Sequence, residues 1–156
     1  MPDQVKSKTT PMRSIMQLFG SLHRGLYRAT GGVIGGRFRG GSVLLLTTVG
    51  RKTGQARTWP LLYFPDGNAF VIVGSNGGQA MHPAWYLNLA KNPAATIEVG
   101  RQRLRVQAKQ AAGAERERLW QLVIRTLPFY ADYQKMTQRE IPLMILTPEE
   151  SNGQNN

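Results

Sequence analysis

About six short apolar segments, most of them joined by tight turns, place the strongest constraint on the fold of this chain. The first is rich in Val, Leu and Thr, the fifth alternates apolar with polar residues, and each has the length of a strand. They lie at residues 42–48, 59–64, 69–74, 95–100, 103–111 and 141–148. The sequence "PDGN" at 65–68 is a strong turn signal, and Gly100, at the end of the fourth segment, marks a hairpin turn to the fifth. Strands joined by such turns pair antiparallel, which favours a small barrel over a βαβ sheet.

Helical periodicity surrounds these segments. Apolar residues recur at helical spacing from Pro11 to about Ala29, together with Arg13, Arg24 and Arg28. This pattern predicts a basic amphipathic helix, whose apolar face packs on the domain or, alternatively, lies on an anionic membrane surface. Further helices are predicted at 83–92, 114–127 and 129–136.

The segments also define the organisation of the chain and its fold class. We predict a basic N-terminal helix and glycine-rich linker at residues 1–41, a barrel at 42–148 and a disordered tail at 149–156. The linker sequence "TGGVIGGRFRGG" at 30–41 is not expected to contain a regular element. The predicted class is α+β, a mainly antiparallel barrel with helices packed outside it.

Composition excludes several classes of protein. Cysteine is absent from the 156 residues, which excludes a disulfide scaffold, thiolate metal ligands and cysteine nucleophiles. The sequence has no run of about 18 apolar residues to span a membrane and no secretory signal, so we expect a cytoplasmic protein. The net charge of +11 favours an anionic partner, whether nucleic acid, anionic lipid or an acidic small ligand. A solvated basic surface without a specific partner is the alternative.

The residues that carry chemistry are too scattered for most catalytic sites. The two histidines, His23 and His82, lie far apart in sequence without a carboxylate cluster, so we expect no metal site. The nine acids are dispersed, and the sequence has neither a Ser/His/Asp arrangement nor a phosphate loop of the G-x-x-x-x-G-K-[ST] type. If this chain is an enzyme, we expect the reactive atom to belong to a bound cofactor.

The turn between the first two segments carries three cations, Arg51, Lys52 and Arg57. Exposed N–H groups at Gly50 and Gly54, flanked by these cations, would form a cradle for a phosphate. A solvated hairpin tip is the alternative that the turn alone leaves open.

A second glycine loop, "VGSNGG" at 73–78, leaves the third segment and precedes the aromatic helix "PAWYLNL". Trp85 and Asn88 are three residues apart and can share a helix face, so a flat ring could lie against Trp85 while the loop backbone hydrogen-bonds its edge. Tyr130 and Tyr133 have the same spacing and could present two hydroxyls to a cavity. In both cases burial in the core is the alternative.

Five segments, taken together and in this order, are similar to a known family. They are "YRATGG", "LLLTTVGRKTGQARTWPL", "VGSNGG", "HPAWYLNLAKNP" and "YADYQKMTQREIP", and they span residues 27–142. In this combination the chain resembles the deazaflavin-dependent nitroreductase family. The resemblance implies a split β-barrel and binding of coenzyme F420, a 5-deazaflavin that carries a phosphodiester and an oligoglutamate tail.

The resemblance assigns roles to residues of this sequence. It implies that Arg51, Lys52 and Arg57 face the phosphate and the acidic tail of the cofactor. The residues that it places around the deazaflavin ring are Pro60, Ser75, Asn76, Gly77, Gly78, Trp85 and Asn88.

The resemblance also implies an acceptor site. Tyr130 and Tyr133 border the substrate pocket and, together with Ser75, orient the acceptor. Asn76 is a departure from the family pattern, because members often carry lysine at this position.

The implied activity is transfer of hydride from reduced F420 to a quinone or a nitroaromatic acceptor. One alternative is an FMN-dependent split-barrel reductase, and another is a non-enzymatic basic module that binds a cofactor or anionic lipid. Nucleic acid is not expected, because the aromatic residues are not interleaved with cations along a strand. We expect a monomer or homodimer in the cytoplasm, with peripheral membrane contact through the N-terminal helix as a further hypothesis.

Overall fold

The helices and strands alternate along the chain in the order α1-β1-β2-β3-β4-α2-β5-β6-α3-α4-β7. The computed structural model describes residues 11–33 and 35–150, with side chains from residue 20 onward. The helices are α1 (Pro11–Thr30), α2 (Ala84–Lys91), α3 (Gly113–Thr126) and α4 (Phe129–Lys135). The strands are β1 (Arg37–Phe38), β2 (Gly41–Val49), β3 (Ala56–Asp66), β4 (Ala69–Val73), β5 (Ala94–Val99), β6 (Gln102–Gln110) and β7 (Leu143–Pro148). The predicted tail at 149–156 lies mostly outside the described residues.

Antiparallel pairing closes six strands into a barrel in the order β2-β3-β4-β7-β6-β5, and β5 returns to pair with β2. These six strands are the six apolar segments of the sequence, and the helices pack outside them. The predicted α+β class and the split barrel are therefore confirmed. Gly67 and Gly100 both have a φ of 59° in the hairpin turns, a left-handed conformation that glycine adopts without strain.

Two apolar clusters fill the two sides of the sheet, because side chains alternate along each strand. The first fills the barrel, and Trp85 and Leu89 of α2 pack into it. The second lies between the outer face of the sheet and the helices α3 and α4, which contribute Leu119, Val123 and Tyr130. Both clusters reach residues of the candidate site, which is therefore built on packed elements.

Tyr27 anchors α1 to the barrel, and its side chain is only 1% exposed. Its hydroxyl oxygen lies 3.1 Å from the carbonyl oxygens of both Val43 and Glu98, and it accepts a hydrogen bond from the N–H of Gly100 at 2.8 Å. Arg28 adds a two-pronged ion pair to the Glu98 carboxylate, at 2.9 Å for the shorter contact. α1 therefore packs on the barrel, which is the first of the two interpretations of its amphipathic pattern.

The glycine-rich segment contains one regular element that the sequence did not predict. Arg37–Phe38 pair with Gly41 and Ser42 of β2, so the expectation of no regular element at 30–41 is wrong. The pair is closed by Arg39 and Gly40, whose φ angles are 50° and 85°. A strand of this length has too few side chains to show an alternation in the sequence.

The first half of β3 is a free edge of the sheet. β3 pairs with β2 along most of its length but with β4 only from Tyr63 onward, so residues 56–62 have no second strand beside them in the described chain. Arg24 of α1 donates to the carbonyl of Thr58 at this edge, at 3.4 Å. Pro60 lies two residues after Thr58, so its backbone faces the same free edge. Proline has no N–H group, and at this edge no hydrogen bond to a neighbouring strand is lost.

Candidate functional site

A cleft of about 1130 Å³ opens beside the free edge of β3. Its walls come from residues 59–62 of β3, from the loop after β4, from the start of α2, from α1 and from Tyr130 of α4. Among the described residues that line it, none is a carboxylate, a lysine or an arginine. The cleft is therefore suited to a flat, largely uncharged ring system.

Two tryptophans and a proline supply flat surfaces to this cleft. Trp59 and Pro60 belong to β3, and Trp85, which is 3% exposed, belongs to the first turn of α2. Both tryptophans also pack against the apolar cluster inside the barrel. Trp85 thus belongs to the core and to the cleft wall at once, so the two interpretations of it in the sequence are compatible.

The glycine loop at the cleft has a left-handed backbone at three successive residues. The φ angles are 47° at Asn76, 63° at Gly77 and 80° at Gly78. The Nδ2 atom of Asn76 donates to the carbonyl of Met81 at 2.9 Å, and asparagine tolerates the left-handed region better than lysine does. A Cβ added at Gly77 would meet no atom within 4 Å, whereas a Cβ added at Gly78 would lie 3.0 Å from the Cβ of Met136. The loop therefore presents bare backbone to the cleft at Gly77.

Arg139, which was not predicted from the sequence as a site residue, holds this loop through several hydrogen bonds. Its guanidinium donates to the carbonyls of Gly74 at 3.1 Å, Ser75 at 2.9 Å and Gln79 at 3.0 Å. A fourth contact, at 3.1 Å, joins Nη1 to the Nδ1 atom of His82. The planar guanidinium of Arg139 fixes the shape of the loop by binding three of its carbonyl oxygens. The opposite side of the loop stays open.

Ser75 and His82 bring polar groups to the cleft. Ser75 is 8% exposed, and its hydroxyl makes no hydrogen bond with the described residues. Burial and the charge of Arg139 lower the pKa of the His82 imidazole, so this side chain is neutral at pH 7. Both residues therefore offer neutral hydrogen-bonding groups in an apolar surrounding, where such bonds are strong.

Asn88 ties the turn between β2 and β3 to α2. Its Oδ1 atom accepts from the backbone N–H of Arg51 at 3.1 Å and from Nη1 of Arg51 at 3.2 Å, and its Nδ2 atom donates to Oγ1 of Thr48 at 3.0 Å. Lys91 adds a bond from Nζ to the carbonyl of Arg51 at 2.8 Å. Asn88 is 3% exposed and does not line the cleft, so its contacts position the cationic turn instead.

The backbone cradle predicted at Gly50 and Gly54 is wrong. The N–H of Gly50 donates to the carbonyl of Gln55, and the N–H of Gly54 donates to the carbonyl of Gly50, both at 2.8 Å. These amides close the turn and are not free for a ligand. An anion at this turn could not use these two amides, so the exposed cationic side chains are its candidate charged contacts.

Lys52 and Arg57 are the side chains available for that contact. Both are exposed, and neither forms an ion pair with a carboxylate in the described part of the chain. Arg57 precedes Trp59 by two residues on the same face of β3, so their Cα atoms are about 7 Å apart. A flat ligand in the cleft that carries an anionic tail could therefore place the tail on this turn.

The two predicted tyrosines have different surroundings. Tyr130 lines the cleft, and burial raises its pKa, so its hydroxyl keeps its proton. Tyr133 does not line the cleft, and its hydroxyl accepts from Nη1 of Arg39 at 3.0 Å. The guanidinium of Arg39 also lies 4.0 Å from the centre of the Phe129 ring. The rings of Tyr130 and Tyr133 meet edge to face at 5.9 Å, so Tyr133 touches the cleft only through its neighbour.

The structure brings together half of the residues that were predicted from the sequence. Those that line the cleft are Pro60, Ser75, Asn76, Gly77, Trp85 and Tyr130. Those outside the lining are Gly78, Asn88 and Tyr133, together with Arg51, Lys52 and Arg57 of the adjacent turn. Among the described residues, the lining of the cleft contains no carboxylate; the cleft is suited to bind and orient a redox-active ring, whose electrons would have to come from a bound cofactor.

Comparison with known proteins identifies relatives across most of the chain. A family model described as F420H(2)-dependent quinone reductase matches residues 21–148. The chain is 45% identical over 130 residues to an F420H(2)-dependent quinone reductase of Mycobacterium tuberculosis, covering 81% of this chain and 87% of that protein.

Solved structures agree with this relationship. One described as an F420-H2 dependent reductase shares 37% identity at a TM-score of 0.62, over 67% of this chain and 92% of that chain. Another, described as a domain-swapped dimer, shares 33% identity at a TM-score of 0.66, over 88% of this chain and 99% of that chain.

Proposed function

This chain belongs to the F420H(2)-dependent quinone reductase family, and we propose that it reduces a quinone with hydride from reduced coenzyme F420 in the cleft beside β3. The observation that carries the proposal is the pairing of a neutral, aromatic-walled cleft with an adjacent turn of cations that have no carboxylate partner in the described chain. A neutral cleft suits the ring of the cofactor, and an unpaired cationic turn suits its phosphate and acidic tail.

The residues present fit this cofactor. Trp59, Pro60 and Trp85 offer flat apolar faces to a deazaflavin ring, and a cleft of about 1130 Å³ has room for the ring and an acceptor beside it. Gly77 has no Cβ to obstruct the approach of the ring edge to the loop backbone. Lys52 and Arg57 would form charge-assisted contacts with the tail, in the positions that the turn and Asn88 give them.

Bound reduced F420 supplies the hydride, and the chain supplies orientation and exclusion of water. Trp85 and Pro60 fix the plane of the ring, because both belong to packed elements of the barrel. A fixed plane brings the reacting atoms to near-attack distance, and this positioning accounts for much of the rate enhancement in such sites. The apolar walls keep water from the transferring hydride.

Ser75 and Tyr130 are proposed to contact the acceptor. Both residues line the cleft, and the hydroxyl of each can donate a hydrogen bond to an oxygen that gains negative charge during reduction. The raised pKa of Tyr130 keeps that hydroxyl protonated as a donor. Nitroaromatic compounds have the same flat shape and oxygen acceptors as quinones, so we include them as acceptors, with Tyr133 supporting Tyr130.

We also propose that α1 makes peripheral contact with an anionic membrane. Leu22 and Leu26 lie one helical turn apart and are 59% and 40% exposed. They lie on the face of α1 opposite Arg24 and Arg28, which contact Thr58 and Glu98 of the barrel, and the net charge of +11 favours an anionic surface. Within the described residues, no helix has the length and hydropathy needed to cross a bilayer. Sedimentation with anionic vesicles tests the contact, which Leu22→Ser/Leu26→Ser should abolish.

Light scattering separates the monomer from the homodimer, which is the state named for one structural relative.

Two measurements on the purified chain test the proposed function. The chain is titrated with F420 and with FMN while tryptophan fluorescence is followed, because Trp59 and Trp85 both line the cleft. Reduced F420 is then added with menadione, and its oxidation is followed by absorbance. We expect preferential binding of F420 and menadione-dependent oxidation. Binding of FMN alone would support the FMN alternative, and F420 binding without turnover would support a cofactor-binding module.

A further inference from the structure

His82 lies in the cleft wall between the glycine loop and α2. It precedes Pro83 and Ala84, which also line the cleft. Its ring lies against that of Tyr86, with 4.5 Å between the ring centres. Packing on one side and the contact with Arg139 on the other hold the imidazole in a defined orientation.

The contact with Arg139 determines which ring nitrogen of His82 carries the proton. A guanidinium has only donors, so the Nη1 atom of Arg139 at 3.1 Å requires Nδ1 of His82 to be the acceptor. A neutral imidazole whose Nδ1 accepts carries its proton on Nε2. In the described chain Nε2 has no hydrogen-bond partner, and it is not among the buried polar atoms without one. His82 therefore has a free N–H donor that remains open to solvent.

We propose that the Nε2–H group of His82 donates a hydrogen bond to the carbonyl oxygen of the quinone, and that Arg139 is the positioning residue that holds His82 in this tautomer. The inference rests on the proposed function. The quinone receives a hydride, which is two electrons and one proton, and becomes a hydroquinone anion whose oxygen carries the negative charge. The His82 bond stabilises that oxygen, and solvent then supplies the second proton to complete the hydroquinone.

The charges around His82 favour a neutral donor. Arg139 is the cation that faces the ring, and Tyr86 is the neighbouring titratable group on α2. Burial and the Arg139 charge lower the pKa of the imidazole, so it does not become an imidazolium at neutral pH. A neutral imidazole can polarise a carbonyl oxygen through its N–H. This arrangement assigns to His82 a stabilising role toward charge that develops on the acceptor.

Nitrogen-15 NMR of the imidazoles tests the tautomer without relying on turnover. The chain has two histidines, so the spectrum of His82→Gln identifies the remaining signals as those of His23. We expect Nδ1 of His82 to show the shift of an unprotonated ring nitrogen and Nε2 that of a protonated one. Adding menadione to the chain saturated with oxidised F420 should move the Nε2 signal. The opposite tautomer, or an Nε2 signal that menadione leaves in place, would overturn the proposal.

Steady-state kinetics tests the hydrogen bond itself. His82→Phe keeps a flat ring but removes the donor, and we expect kcat with menadione to fall about 100-fold, as for the loss of one oxyanion donor. His82→Gln retains an N–H near the position of Nε2 and should restore part of kcat. Both variants should bind F420 with the affinity of the wild type, which also shows that they are folded. A His82→Phe enzyme with wild-type kcat would overturn the inference and leave the proposed function standing. A wild type that does not oxidise reduced F420 would overturn both.

Discussion

Removal of the two exposed cations from the β2–β3 turn should weaken F420 binding strongly without unfolding the chain. Lys52 and Arg57 are exposed and have no carboxylate partner in the described chain. The double variant Lys52→Ala/Arg57→Ala therefore leaves no buried group unpaired. We expect its free energy of unfolding to stay within about 0.5 kcal/mol of the wild type for each substitution.

The size of the loss follows from the exposure of the two side chains. An ion pair in solvent contributes about 0.2–1 kcal/mol, whereas a hydrogen bond to a charged group that is better shielded contributes about 1.5–3 kcal/mol. Because both cations are exposed, we assign about 1 kcal/mol to each against the phosphate and acidic tail. Together they give about 2 kcal/mol, which corresponds to an increase of about 30-fold in Kd.

Tryptophan-fluorescence titration at low ionic strength measures this Kd. The difference between wild type and variant should shrink in 1 M salt, where the screening length is about 3 Å. The matched control Lys109→Ala/Arg125→Ala removes two exposed cations from β6 and α3 and should change Kd much less. Equal losses in the two double variants would mean that net charge, and not the turn, attracts the cofactor. An unchanged Kd in the turn variant would refute the assignment of the tail to this turn.

Three further outcomes are expected. Gly78→Ala should lower the free energy of unfolding by about 2 kcal/mol, because the added Cβ would lie 3.0 Å from a neighbouring side-chain carbon at a φ of 80°; an unchanged melting temperature would contradict this. Tyr27→Phe should lower the free energy of unfolding by about 2 kcal/mol in urea denaturation, because the backbone groups of Val43, Glu98 and Gly100 lose a buried hydroxyl partner. A variant with the urea midpoint of the wild type would contradict this and show that water replaces the hydroxyl. NMR titration should place the pKa of His82 below its ordinary value of 6.5, because the ring is partly buried and faces Arg139, and Arg139→Gln should raise this pKa. A wild-type midpoint at or above 6.5 would contradict the first expectation, and an unchanged midpoint in Arg139→Gln would contradict the second.

The barrel could be predicted from the sequence because its signals are local. Along β6, Val106 is fully buried while Arg105 and Gln107 on either side of it are exposed, and this alternation is visible in the sequence itself. Turns join β2 to β3, β3 to β4 and β5 to β6, so half of the six pairings that close the barrel are local hairpins, and the other half join distant segments. The two-residue strand β1 is too short to carry such a signal.

The candidate site was less predictable, because several of its contacts join distant parts of the chain. Arg139 and Ser75 are 64 residues apart, and no spacing rule connects them. Asn88 was placed at the ring by the family resemblance, whereas tertiary contacts with Arg51 engage its amide. The sequence shows that a polar residue lies on a face, but the partner of that residue depends on how the helix docks.

The free edge of β3 has a consequence for the chain without its cofactor. A row of unpaired backbone groups can pair with the strand of another molecule, and such edges promote aggregation. Pro60 removes one N–H donor from this edge, and Arg57 places a positive charge near its start. Both features limit pairing with another strand. A ring bound in the cleft beside residues 59–62 would cover the remaining edge. We therefore expect the bound cofactor to reduce self-association of the chain. The protein without cofactor should aggregate at a lower concentration than the protein with cofactor bound.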